Sequence, residues 1–340
     1  MPPTPRDSQS RPVSLFRDTR AILVESIFWD ERHDAVVWVD ISAGTVHRGP
    51  LDGAVDGSDD EVARLPPPVS AIQPVADEHG GGYIGALKDE IVLLDDHFAI
   101  RERLARVAHR HTGIRFNEGK VDPWGAFVLG SMNTTSDAPD GAIYRIDASG
   151  RVETLLGGFA VANGFEWPRD ASGEPTGEWL FTDTGAQTVY RARVGNGGAP
   201  VAVRPYLVGE PSDGLALAVD GSLWNGLYGG GEVVQWSGGE IARRIALPAP
   251  NITCAAFVGP ELDTLLVSSA RENLTEESLE RSPRSGAIFR IHGVGHGFAP
   301  TAFGARAATV PVGEPPASTS SASSAFSAAS DERTKRWTSD

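Results

Sequence analysis

A short β-branched or aromatic pair flanked by small and basic residues recurs along this chain. It reads G-T-V-H-R at Val46, E-I-V-L-L at Val92, G-A-I-Y-R at Ile143, Q-T-V-Y-R at Val189, G-E-V-V-Q at Val233 and G-A-I-F-R at Ile288. Successive markers stand 46, 51, 46, 44 and 55 residues apart. Six units of about that length fit four-stranded propeller blades, in which each unit completes its core against its neighbours. Between markers lies a second recurrent element, an apolar strand, a turn with Asp or Gly, and another strand. Its copies include I-F-W-D-E-R-H-D-A-V-V-W-V-D, K-V-D-P-W-G-A-F-V-L-G, L-A-L-A-V-D-G-S-L-W-N-G and A-A-F-V-G-P-E-L-D-T-L-L-V. Asp-Gly, Pro-Trp-Gly and Gly-Pro supply the turn chemistry hairpins need, so each unit reads as an inner hairpin followed by an outer one.

The expected fold is therefore all-β, a six-bladed β-propeller with four-stranded antiparallel blades. The 39 Gly and 24 Pro among 340 residues suit many strands and tight turns, with a mixed α/β domain as the alternative. The segment V-S-L-F-R-D-T-R-A-I-L-V has strand character and precedes the first full unit, while the last unit, ending near G-F-A-P-T-A-F-G, is one strand short. Pairing of the N- and C-terminal strands would close the ring and leave no open edge. Residues 13–306 are assigned to the propeller as one catalytic domain, with 1–12 and the Ser/Ala-rich 307–340 expected to be disordered because they lack apolar surface to bury. Pro66 to Pro68 and Gly195 to Pro200 read as loops.

A formal charge of −15 repels phosphate backbones and anionic lipid, which argues against nucleic-acid and membrane partners. One cysteine, Cys254 in I-T-C-A-A-F, excludes an internal disulfide and a Cys-based zinc cluster, and its apolar setting reads as a buried inert thiol. The N-terminal residues carry no apolar signal region and no stretch approaches about 18 apolar residues, so a cytoplasmic protein is expected, monomer or dimer.

Aligned by their inner hairpins, the units place Glu25, Asn117, Asn163, Asp213 and Thr253 at comparable positions, with Ser70 or Gln73 nearest in the second unit. On a closed ring Glu25, Asn163 and Asp213 would meet on the axis. Two carboxylates and an amide oxygen suit a hard divalent cation such as Ca²⁺, Mg²⁺ or Mn²⁺ and leave coordination positions open for water and substrate. Asn163-Gly164 and Asp213-Gly214 also read, singly, as ordinary turn dipeptides. Arg115 and Asn117 alternate around Phe116, so both fall on one strand face and could orient polyol hydroxyls or a carbonyl; a structural ion pair of Arg115 is the competing reading. His109 and His111 lie in a cationic stretch and read as surface histidines. No G-x-S-x-G, Walker A or H-E-x-x-H pattern is present.

E-S-I-F-W-D at Glu25, R-F-N-E-G-K-V-D-P-W-G from Arg115, A-N-G-F-E-W from Ala162 and P-S-D-G-L-A-L-A-V-D-G-S-L-W from Pro211 resemble the signature segments of the gluconolactonase and senescence-marker-protein family, which includes regucalcin and luciferin-regenerating enzymes. The likeness runs from about Leu15 to Gly304. It implies a six-bladed propeller with one channel metal (Ca²⁺, Zn²⁺, Mn²⁺, Mg²⁺ or Fe²⁺) on Glu25, Asn163 and Asp213. It further implies hydrolysis of sugar lactones such as glucono-, xylono- or arabinonolactone, with Asp213 as acid/base and Arg115 and Asn117 on the substrate. Glu118, where the family pattern usually carries Asp, is placed with that substrate-binding set. After Met132 the chain continues N-T-T-S-D, where mammalian relatives carry glutamates that reach substrate. The rival expectations are a non-enzymatic calcium-binding or regulatory protein and an organophosphate or phosphotriester hydrolase. For the latter, no extra carboxylate cluster suggests a second cation.

Overall fold

The computed structural model describes residues 13–305. The two terminal segments expected to be disordered, 1–12 and 307–340, lie outside those residues. The described chain forms six four-stranded sheets. The strand nearest the axis in each is Val24–Asp30, Val69–Pro74, Ile114–Val121, Ala162–Glu166, Ser212–Leu217 and Asn251–Val258 in blades 1 to 6. Each inner strand packs on the next and the sixth packs on the first, so the ring is closed. The repeated sequence markers all fall on the third strand of a blade: Thr45–Gly49, Glu90–Leu94, Gly141–Ile146, Thr188–Val194, Glu232–Ser237 and Ile288–Ile291.

Closure is as expected. Val13–Arg17 pairs antiparallel with Ile288–Ile291 and supplies the outer strand of blade 6. Arg17, at the end of that strand, is fully buried. Its guanidinium binds Asp60 at 2.8 Å and donates to the Pro50 carbonyl at 2.9 Å, tying the closing strand to blade 1. Removing either partner would strand a buried charge, so the pair acts as a lock.

Apolar side chains fill the spaces between blades. Between blades 3 and 4, Phe159, Phe165, Trp167, Trp179 and Phe181 share one cluster. Trp38, Trp179 and Trp224, each on the second strand of its blade, are among the largest fully buried side chains. Rigid rings on a closed ring of sheets hold the inner strands in fixed mutual register.

Two features escaped the sequence reading. A short helix, Glu276–Arg281, capped by Thr275, follows the second strand of blade 6. The segment after blade 6 crosses the lower end of the channel as a strap. Gly297 bridges Ala218 of blade 5, Phe303 bridges Val75 of blade 2, and Gly304 N–H donates to Gly125 O of blade 3 at 2.8 Å. Gly125 is required there: its φ is +83° and a Cβ would meet Ala305 O at 2.5 Å.

Candidate functional site

Every inner strand is bulged at the same level. The register against the second strand slips between Glu25 and Phe28, Val69 and Ala71, Phe116 and Gly119, Asn163 and Phe165, Ser212 and Leu215, and Ile252 and Ala255. A bulge leaves residues unpaired and re-aims their side chains. The positions aligned from sequence, Glu25, Asn117, Asn163, Asp213 and Thr253, sit in or beside these bulges, and Ser70 rather than Gln73 is the blade 2 member. Asn163-Gly164 and Asp213-Gly214 are thus strand residues and not hairpin turns. Gly164 has φ +43°, and a Cβ there would meet Asp213 O at 2.5 Å, so this bulge fits only glycine.

The bulges are stitched together by side chains. Ser26 Oγ donates to Ile72 O at 2.9 Å, Ser70 Oγ to Phe116 O at 2.6 Å, Thr253 Oγ1 to Val24 O at 2.7 Å and Thr184 Oγ1 to Ser212 O at 2.8 Å. Each bond ties a side chain of one blade to a backbone carbonyl of its neighbour. Asn163 Nδ2 donates to Thr184 Oγ1 at 3.0 Å, which fixes the amide and leaves Oδ1 as the end without a partner.

Three oxygens stand out. Glu25 Oε2, Asn163 Oδ1 and Asp213 Oδ1 are each shut off from solvent and hydrogen-bonded to nothing among the described residues. Leaving one such atom bare costs about 1–3 kcal/mol, and more for a charged group. Burial pushes the Glu25 carboxyl well above the usual range, and the neighbouring charges of Asp213 and Glu118 push it further. Burial, then Glu118, raises Asp213 to about 8, with Arg115 pulling the other way. Two carboxyls that resist ionising at the same spot as a bare amide oxygen form a donor set suited to a divalent cation. No group of three His, Cys, Asp or Glu side chains among the described residues is placed to hold a metal, so a cation on Glu25 and Asp213 would need the amide of Asn163 as its third ligand.

Arg115 lies beside this set. Its Nη1 donates to Phe116 O at 2.9 Å and to Asn117 Oδ1 at 2.8 Å. Asn117 is thereby the guanidinium's support, with its Nδ2 reaching Ala162 O at 3.4 Å. No ion pair of Arg115 forms among the described residues, so the structural-pair reading is not what the fold builds.

Glu118 parts company with Arg115 at the bulge. It lines an axial cavity of about 80 Å³ on the far side of the ring, together with Lys120, Glu166, Cys254 and the strap residues Phe298–Thr301. Burial raises Glu118 to about 7, while Lys120 and the Gly119 N–H oppose the rise. Cys254 is buried and burial drives its thiol well up, as an inert cysteine requires. His109 packs edge-on against Phe116 and Tyr144, and His111 faces Asp140 at 3.5 Å. They share no site. Two mouth residues were missed in sequence, Tyr228 and Glu272, which lie on loops with no repeat signal.

No helix among the described residues is long and apolar enough to cross a membrane. The model of the SMP-30/Gluconolactonase/LRE-like region matches residues 23–271. The chain is 33% identical to a 6-deoxy-6-sulfogluconolactonase from Pseudomonas putida, over 79% of this chain and 90% of that protein. It is 30% identical to a pentonolactonase from Haloferax volcanii, over 82% and 94% respectively. Among solved structures, a calcium-binding regucalcin from Agrobacterium tumefaciens superposes with a TM-score of 0.76 at 24% identity, covering 85% of this chain and 96% of that one. The matched motifs and the bulged ring that carries them agree, and the chain belongs to the SMP-30/gluconolactonase/LRE-like family.

Proposed function

We propose that this protein hydrolyses a sugar lactone above the bulge ring, with Glu25, Asn163 and Asp213 as the ligands of one divalent cation. The observation that carries the reading is the trio of bare buried oxygens, one from each of those residues. Relatives named as a sulfogluconolactonase, a pentonolactonase and an L-arabinolactonase support the substrate class. All-oxygen donors favour Ca²⁺, with Zn²⁺, Mn²⁺, Mg²⁺ and Fe²⁺ as the ions to test against it. A bound cation supplies Lewis-acid polarisation of the lactone carbonyl and keeps the neighbouring carboxylates ionised.

The chain's own groups do the rest. Asp213 Oδ1 is the enclosed atom, and Oδ2 accepts the proton of the attacking water. The water oxygen bonds to the carbonyl carbon, the ring C–O bond breaks, and the proton held by Asp213 goes to the departing ring oxygen. Arg115, braced by Asn117 and the Phe116 carbonyl, orients the lactone oxygens. Glu118, beneath the ring, acts on Glu25 and Asp213 through its charge rather than by touching substrate. The strap crosses the lower end, and substrate enters from the mouth where Arg115 lies.

The test is a pH-drop assay of apo-protein reloaded with single metals, run over gluconolactone, xylonolactone, arabinonolactone and galactonolactone. Turnover of at least one lactone that vanishes on chelation and returns with metal is the expected result. Tight metal binding with no turnover on any lactone would replace the enzyme reading with that of a calcium-binding protein.

A further inference from the structure

Glu272 stands across the channel mouth from Arg115. Arg115 belongs to blade 3 and Glu272 follows the second strand of blade 6, so the two come from opposite sides of the ring. The Glu272 loop is pinned by three blades. Its N–H donates to Ile22 O at 2.9 Å, at the entry to blade 1, and its carbonyl accepts from Asn251 Nδ2 at 2.8 Å in blade 6. The same carbonyl accepts from the Tyr228 hydroxyl of blade 5 at 3.4 Å, and Asn273 Nδ2 donates back to that hydroxyl at 2.9 Å. The Glu272 carboxylate is itself held: Ser42 Oγ, on the blade 1 turn, donates to Oε1 at 2.9 Å.

Nothing neutralises it. No ion pair of Glu272 or of Arg115 forms among the described residues. Yet Glu272 is the largest attractive charge acting on the Arg115 guanidinium, ahead of Glu25, Tyr228 and Asp213, while burial lowers that guanidinium. Two opposite charges that see each other without pairing, brought from opposite blades, give the mouth a positive and a negative side.

We infer that Glu272 is a specificity-determining residue, the acceptor for hydroxyl groups on the part of the lactone turned away from Arg115, and that it selects neutral polyhydroxy lactones against lactones bearing an anionic substituent. The inference rests on the lactonase reading above. It deepens that reading by naming the charge of the substrate that the same site takes. A carboxylate accepts strongly from hydroxyls, whereas a second anion against it is repelled and left without a donor.

The experiment compares kcat/KM on D-glucono-1,5-lactone with that on D-glucaro-1,4-lactone, which carries a free carboxylate, in the metal-loaded full chain. The wild type should favour the neutral lactone. Glu272→Gln, nearly isosteric, should raise KM for the neutral lactone and raise kcat/KM for the anionic one, moving the ratio about a hundredfold, as two changes of about tenfold each. Ser42→Ala, which frees the carboxylate without removing it, should move the ratio in the same direction by less. Glu277→Gln, on the exposed face of the short helix where Glu277 pairs with Arg281, should leave the ratio alone. A ratio unchanged within about twofold in Glu272→Gln, with neutral-lactone turnover retained, would overturn the inference while the lactonase reading stands. Absence of turnover by the metal-loaded wild type on both of these lactones and on the whole panel above would overturn both.

Discussion

The two ends of the inner strands bury Asp30 and Asp122 below, Glu25 and Asp213 above, and differ in the partners they give them. Below the bulge ring, Asp30 closes blade 1's inner strand with every need met: Arg32 grips it through two nitrogens at 2.9 Å and the Tyr83 hydroxyl donates at 2.6 Å. Burial alone would raise its carboxyl, but the bonds from Arg32 and Tyr83 outweigh that and hold it at about 2. Asp122, at the same point in blade 3, takes Arg145 at 2.7 Å and two backbone N–H groups at 2.9 Å, which oppose but do not overcome the rise that burial gives its carboxyl. Above the ring, Glu25 and Asp213 have no cation among the described residues paired with them, and both are pushed up. The fold can satisfy buried carboxylates and does so where nothing else is required. On the proposed reading, the bare pair marks the place of the cation.

That contrast breaks first, and by the widest margin, at Asp213. Asp213→Asn keeps the shape and removes the proton acceptor, so kcat should fall by about 10²–10⁴ while KM moves little. The measurement is steady-state lactonase kinetics alongside a metal titration, which separates loss of the base from loss of the cation. Near wild-type kcat with metal bound would remove Asp213 from the base role. Asp30→Asn, at the satisfied end, should leave kcat within about twofold, and a matching loss there would erase the distinction between the two ends.

Cation binding sharpens the same comparison. If the bare oxygens above the ring are ligands, a hundredfold excess of metal over its Kd should stabilise the wild type by about 2.7 kcal/mol. Glu25→Gln or Asn163→Ala should abolish most of that gain while leaving the apo-protein folded, since neither residue is held by an ion pair. Differential scanning calorimetry with and without chelator reads this directly, and an undiminished shift in Glu25→Gln would place the cation elsewhere.

The propeller was legible because its evidence is periodic. Markers at Val46, Val92, Ile143, Val189, Val233 and Ile288 all fell on one strand type, and that phase carried Glu25, Asn163 and Asp213 to one level of the ring. What periodicity cannot encode stayed hidden. Alternation along I-R-F-N-E-G-K-V predicts Arg115 and Asn117 on one face, which holds. The register slips between Phe116 and Gly119, and Glu118 lines the cavity beneath the ring instead of lying beside Arg115. Asn163-Gly164 kept two readings open because a bulge and a turn ask for the same residues. Tyr228, Glu272 and the strap from Gly297 to Gly304 belong to connections of unequal length, where no phase relates one unit to the next. Their positions depend on contacts with other blades, such as Ser42 to Glu272 and Val75 to Phe303.

At the satisfied end the expected effects are smaller and concern stability alone. Asp30→Asn removes charge-assisted bonds to Arg32 and a buried bond from Tyr83, and should cost about 2 kcal/mol in urea unfolding near neutral pH. Its pH dependence has a definite sign. The folded-state value of about 2 lies below the ordinary 3.8, so the folded form binds fewer protons than the unfolded one in that interval. The contribution of the ionised Asp30 is therefore complete above about pH 4 and is lost as pH falls through the folded value toward 2. Full linkage over that interval would give somewhat over 2 kcal/mol, and partial exposure of Arg32 to water reduces this to about 1–2 kcal/mol. Unfolding free energies of wild type and Asp30→Asn, measured at pH 5, 4 and 3, should converge downward, because the other carboxylates titrate alike in both proteins and cancel in the difference. A gap that stayed constant across those pH values would mean that Asp30 contributes by packing and neutral hydrogen bonding. The lower end would then differ from the upper in geometry alone, with no difference in how it treats charge.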